Sequence, residues 1–146
     1  MKNRFDAFVE NAVRWSKTEL DSTAYAFRCL AFVEDAYEIS NAVEIFGGSS
    51  AKESADEYEA WKNTGIPPLG AFVFYDCVGT LFDTYKNWGH VGLSIGQGEA
   101  IHAWDRVRID NYLDIQNLSA ASGWTKPQYI GWVSVERIFQ GYRQKG

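Results

Sequence analysis

The chain holds two histidines, His90 and His102, both inside the stretch GHVGLSIGQGEAIHAW, and two cysteines, Cys29 and Cys77. Imidazole is the side chain whose unperturbed proton affinity lies nearest neutrality. A thiol becomes a strong nucleophile once such a base takes its proton. These four residues carry the chemistry the sequence offers, provided the fold brings an imidazole to a thiol.

The histidine stretch reads as a β-hairpin, with Gly96-Gln97-Gly98 as a three-residue loop and Gly98 taking the positive φ that such loops place at the third position. In that register Ile95 faces Glu99, Leu93 faces Ile101, Gly92 faces His102 and His90 faces Trp104. Val91, Leu93, Ile95, Ile101 and Ala103 fall on one face, and His90, Gly92, Ser94, His102 and Trp104 on the other. The two imidazoles become diagonal neighbours, with Cβ atoms roughly 5 to 8 Å apart. A one-residue slip would split both sets across the sheet, so the apolar pattern selects the register that unites the histidines.

Three readings of the pair stay open on the residues alone. Both can be half-buried polar groups hydrogen-bonded at a sheet edge. Both can bind a metal with Asp105 or Cys77 as a further ligand, although no recognised ligand spacing supports that. Or one histidine activates a cysteine while the other fixes its ring.

Of the thiols, Cys29 falls where the coil after ELDST passes into a helix. A helix start near Phe27 would favour its thiolate through the oriented backbone dipoles, and a neighbouring imidazolium would lower its pKa further. Cys29 also fits as a small hydrophobe on the stripe it shares with Phe32 and Val33. Cys77 ends a buried-type strand beside Asp76, whose charge disfavours a thiolate, and reads as structural.

The elements that must position these groups follow from periodicity. Phe5, Phe8, Val9, Ala12 and Val13 recur at helical spacing and predict a helix ending near Trp15. Cys29, Phe32, Val33, Ala36, Tyr37, Val43 and Phe46 predict a long second helix stopped by Gly47 and Gly48. Ser50 and Glu53 have the form of a capping box for a third helix ending around 63–65. After IPPLG the pattern changes to strands, at 71–77, 107–109 and 129–135. Helices followed by strands predict an α+β domain over 1–146, with the N-terminal helices packed on an antiparallel sheet.

A length of 146 residues suits one domain with a core of its own. The formal net charge of -5 argues against a nucleic-acid partner. No apolar run has signal-peptide or membrane-spanning length, so the sequence gives no membrane partner and leaves a cytoplasmic place or a non-classical export route. Nothing in the composition sets an oligomeric state. Aromatic residues make up 16%, a supply that fits a core or a groove for an extended ligand.

The segment from about Cys29 to Trp132 resembles the NlpC-like cell-wall cysteine peptidases, which have a papain-like fold. The likeness rests on CLAFV at the nucleophile, on PPLGAFVFY, and on GHVGLSIGQGEAIHA with its two spaced histidines. The resemblance implies Cys29 as nucleophile, His90 as general base and then acid, and His102 as the residue that orients His90, with the backbone N–H of Cys29 at the oxyanion. It implies hydrolysis of an amide in a peptide or peptidoglycan-fragment substrate through a thioester, with no cofactor and no metal. Family members that cut next to a free N-terminal L-alanine carry an acidic residue before the cysteine and a tyrosine upstream, where this chain has Arg28 and DSTAYAF. Arg28 favours a carboxylate on the substrate. Tyr25 is the candidate for the family tyrosine, and Trp104 stands beside the histidines as a substrate-binding candidate. The segment from Ala51 to Lys62 reads as an insertion that walls the groove. Two rival readings remain: an acyltransferase that keeps the thioester, and a ligand-binding module without turnover.

Overall fold

The computed structural model describes residues 4–145. Helix α1 spans Asp6–Thr18 and α2 spans Cys29–Asn41. The two-residue strand β1, Val43–Glu44, and helix α3, Ala51–Glu57, follow. Then come strands β2 (Phe72–Asp76), β3 (Val78–Leu81), β4 (Thr84–Asn87), β5 (His90–Gly96), β6 (Glu99–Ala103), β7 (Val107–Asn111) and β8 (Gln128–Val133). A short helix α4 (Val135–Ile138) and strand β9 (Arg143–Gln144) end the order. The architecture is α+β, with the N-terminal helices packed on an antiparallel five-stranded sheet of order β7-β6-β5-β2-β8.

One sheet face carries Phe72, Phe74, Val91, Leu93, Ile101 and Ala103, which join Val9 and Ala12 of α1 and the α2 stripe in the main core. Phe32, Val33, Ala36 and Tyr37 of α2 are fully buried there. Each such side chain contributes about 1.5–3 kcal/mol of apolar burial, which fixes the helix by tertiary packing more than by propensity. On the other face Val73, Tyr75 and Ala100 meet Tyr112 and Ile115 in a second cluster, so the sheet centre is covered on both sides.

Several boundaries differ from the periodicity. α2 stops at Asn41, not Phe46, because Ala42 turns into the left-handed region at φ 52°. The Asn41 amide donates to the carbonyls of Phe8 and Tyr37, and the freed Val43 and Glu44 pair with Gln144 and Arg143. The Ser50 cap forms as expected, its hydroxyl accepting from the Glu53 N–H at 3.2 Å. The helix breaks where Glu59 takes φ 55°, and a 3-10 turn over Ala60–Lys62 carries the path to Asn63. α1 runs three residues past Trp15, to Thr18.

The β3–β4 hairpin, absent from the strand reading, reverses through Phe82 and Asp83 at φ 50° and 61°. That turn uses none of the glycine or asparagine chemistry that announces a hairpin. Among the described residues no helix is long and apolar enough to cross a membrane.

Candidate active site

Cys29 occupies the first position of α2, two residues later than the helix start expected near Phe27, which itself sits at φ 61°. Arg28 makes no side-chain cap. The orphan N–H groups of this helix start therefore remain for other acceptors. The backbone N–H groups of Cys29, Leu30 and Val91 reach the Cys29 sulfur and favour its thiolate. Burial outweighs them and pushes the thiol up to about 11. The lowering expected from the helix start is thus present but overcome, because removing a thiolate from water costs more than three partial charges return.

The histidines meet as the apolar pattern demands. His90 Nε2 lies 2.8 Å from His102 Nδ1, both rings buried. Leu93 faces Ile101 as predicted, but the reversal is a two-residue turn, Gln97-Gly98, with Gly96 rather than Ile95 opposite Glu99. A bulge between Ser94 and Gly96 absorbs the extra residue, so the inner register and the histidine pairing survive.

A third member joins them from the next strand. His102 Nε2 stands 2.8 Å from Asp110 Oδ2, and the same oxygen accepts from Arg108 Nε at 2.8 Å. Asp110 has only acceptors when ionised. The network then assigns every proton: His102 carries its proton on Nε2, so its Nδ1 is a lone pair, which accepts from His90 Nε2–H. His90 Nδ1 is left as a free lone pair.

Burial, then repulsion from His102, holds His90 well below the usual imidazole range. His102 is lowered by burial, against the opposing pull of Asp110. The hydrogen bond from His102 and the Arg108 fork hold Asp110 below the usual carboxylate range despite its burial. At neutral pH the rings are uncharged, and the carboxylate end of the chain carries the negative charge.

Glycines let these backbones approach. Gly89 has φ +75°, and a Cβ there would fall 2.6 Å from the Lys52 N atom at the start of α3. At Gly92 a Cβ would fall 3.1 Å from the His102 Cβ, so a side chain there would press on His102 and require it to give by a few tenths of an ångström.

Cys29 and His90 open together onto a cleft of about 770 Å³. Its walls are mostly aromatic and aliphatic, including Leu30, Leu81, Trp88, Trp104 and Trp124. Trp104 packs edge-on against His90, ring centroids 5.0 Å apart, with its indole N–H held by the Ser119 carbonyl at 3.1 Å. Arg28 also lines the cleft. Tyr25 lies outside the lining: its ring packs on Trp15 and Phe32, its hydroxyl donates to Asp35 at 2.7 Å, and Arg28 rests over its face. Its geometry is that of a support for Arg28.

Cys77 lines the same cleft, but its thiol donates to the Thr125 carbonyl at 3.5 Å and burial pushes it up to about 11. The α3 segment reaches the cleft through Ser50 and Ala51. Among the described residues no three His, Cys, Asp or Glu side chains group to hold a metal ion.

Asp110 and Arg108 are the site residues that sequence reasoning missed. The alternation in VRID carries a signal for them: once Ala103 pairs with Val107, Arg108 falls opposite His102 and Asp110 opposite Ala100, on the histidine face. The chain matches no protein-family model and no curated protein sequence.

Proposed function

We propose that the protein is a thiol-dependent hydrolase of amide bonds, a papain-like peptidase or amidase of NlpC-like type acting on peptides such as those of peptidoglycan. The observation that carries this reading is the oriented chain Asp110–His102–His90, which leaves His90 Nδ1 as an unengaged lone pair on a residue lining the same cleft as Cys29. A buried polar chain fixed for structure alone has no need to end in an open cleft beside a thiol.

In this mechanism the Cys29 sulfur attacks the amide carbonyl while its proton passes to His90 Nδ1. In this reading the backbone N–H of Cys29 stabilises the oxyanion. His90, now an imidazolium bonded to His102, returns the proton to the leaving nitrogen as the C–N bond breaks, leaving a thioester. Water then gives a proton to His90 and attacks the thioester. The C–S bond breaks, the acid departs and the thiol recovers its proton. His102 and Asp110 touch no substrate; they hold His90 in the reactive tautomer and disperse the charge it gains. Arg28 at the cleft favours an acidic group on the substrate.

The apolar lining from Leu30, Leu81 and Trp88 favours a second reading, an acyltransferase that passes the acyl group to an amine or alcohol. Incubation with p-nitrophenyl acetate followed by intact-mass spectrometry tests the shared chemistry. An acetyl adduct on Cys29 that vanishes in His90→Ala supports it, and no adduct on Cys29 in the folded parent protein refutes it. Decay of that adduct in water alone, against decay only with added amine, separates the hydrolase from the transferase.

A further inference from the structure

The most exposed large apolar side chain among the described residues lines the cleft, in a backbone conformation its type disfavours. Phe82 turns the β3–β4 hairpin at φ 50°, with Asp83 beside it at φ 61°, and 87% of Phe82 lies open to solvent. Such a left-handed turn suits glycine or asparagine, because a Cβ there crowds the following carbonyl. Burial does not offset the strain, since Phe82 belongs to neither apolar cluster of the fold. A strained and exposed aromatic residue beside a reactive thiol points to a ligand.

The hairpin holds this tip in place. At its root the Val78 N–H donates to Thr125 Oγ1 and the Thr125 N–H to the Val78 carbonyl, both at 2.9 Å. The Cys77 N–H donates to Asn87 Oδ1 at 3.0 Å. Trp88, whose ring lies 6.1 Å from that of Phe82, is pinned in turn. Its indole N–H donates to the Thr84 carbonyl at 3.2 Å, and the Lys86 ammonium lies 4.2 Å over its ring. Leu81, Phe82 and Trp88 all line the cleft.

Their side of the cleft follows from the chain. Trp88 precedes His90 by two residues, whereas Phe27, its ring 5.7 Å from Trp124, precedes Cys29 by two. The base hands its proton to the leaving nitrogen, so the amine half of the substrate lies on the His90 side. An apolar wall there removes a large apolar group from water and does nothing for a small or charged one.

Resting on the thiol-hydrolase reading, we infer that Leu81, Phe82 and Trp88 form a subsite for a large apolar side chain on the amine half of the scissile amide. The substrate class is then a peptide whose first residue after the cleaved bond carries such a side chain.

By microscopic reversibility, an amine that attacks the acyl-enzyme occupies the same side. Its nitrogen bonds to the thioester carbonyl, the C–S bond breaks, and the amine proton passes through His90 to the Cys29 sulfur. The test follows loss of the acetyl adduct on Cys29, formed with p-nitrophenyl acetate, in phenylalaninamide and in alaninamide at equal concentrations of free amine. Phenylalaninamide should speed the loss about tenfold more than alaninamide. The preference should vanish in Phe82→Ala and persist in Tyr85→Ala, on the same hairpin but outside the cleft lining. Equal effects of the two amines, a preference that survives Phe82→Ala, or one lost equally in Tyr85→Ala would each overturn the inference. Binding keeps this result separate from the fate of the hydrolase reading. In Cys29→Ala, tryptophan fluorescence should report N-acetyl-phenylalaninamide bound about tenfold more tightly than N-acetyl-alaninamide, and only while Phe82 is present. That preference with no acyl adduct on the parent would sink the hydrolase alone, and equal or undetectable binding at millimolar concentration would sink the subsite.

Discussion

Replacing Asp110 by asparagine removes the charge at the end of the histidine chain and the acceptor that meets Arg108 Nη2. One carboxylate oxygen, Oδ2, accepts from both His102 Nε2 and Arg108 Nε, each at 2.8 Å, while Oδ1 accepts from Arg108 Nη2 at 3.3 Å. An asparagine meets two donors on one side and one on the other, so its carbonyl takes the Oδ2 place and its NH2 turns to Arg108 Nη2. The His102 tautomer is therefore kept, and so is the lone pair on His90 Nδ1. What is lost is a charge-assisted bond worth about 1.5–3 kcal/mol. If that difference is felt in full when His90 becomes cationic, acylation slows by about 10- to 100-fold. A single-turnover assay with p-nitrophenyl acetate gives the rate, and nitrogen-15 NMR of the imidazoles gives the tautomers. An acylation rate within a factor of two of the parent would refute the relay. Loss of the Nδ1 lone pair in the spectra would refute the argument from the arginine fork.

Three further outcomes follow from the same structure. Alkylation of Cys29 by iodoacetamide should stay slow at pH 7 and rise towards a thiol pKa of about 11; rapid alkylation below pH 7 would show a preformed thiolate–imidazolium pair instead. Glu34→Gln should stabilise the protein at pH 8 by roughly 3 kcal/mol, because a carboxyl whose folded pKa is raised to about 7 loses stability as pH climbs from its unfolded value. The gain should disappear at pH 4, where both states are protonated, and equal gains at both pH values in thermal melts would contradict the assignment. Gly92→Ala should cost about 1–3 kcal/mol by crowding His102 and should slow acylation with it, whereas an unchanged melting temperature and rate would show that the strand gives way freely.

The pairing of His90 with His102 was legible because a strand has period two and five apolar residues share the opposite face. That constraint is strong enough to survive a wrong turn type: the Gln97-Gly98 reversal and its bulge differ from a three-residue loop, yet the inner register is the same. Asp110 was out of reach for a related reason. Its place depends on how the chain turns through Asp105 and Arg106, where side-chain and backbone bonds replace glycine or proline signals. The end of α2 was hidden because Val43 and Phe46 continue a plausible helical stripe, and only the distant partner strand β9 recruits Val43 and Glu44 into a sheet. The direction of the Cys29 shift was equally hidden, since how deeply a thiol is buried is a property of the closed fold.

The helix that begins with Cys29 has Phe32, Val33, Ala36 and Tyr37 sealed against the sheet that carries both histidines. Cys29 and the two histidines therefore belong to one cooperative unit, whose amides exchange with solvent only in the rarest openings. Much of the cleft wall comes from outside that unit, from the turn at Phe82 and from irregular segments around Ser49, Ser119 and Trp124. In the proposed hydrolase, such a division lets evolution retune what is recognised through peripheral loops while Cys29 and His90 inherit the permanence of the core.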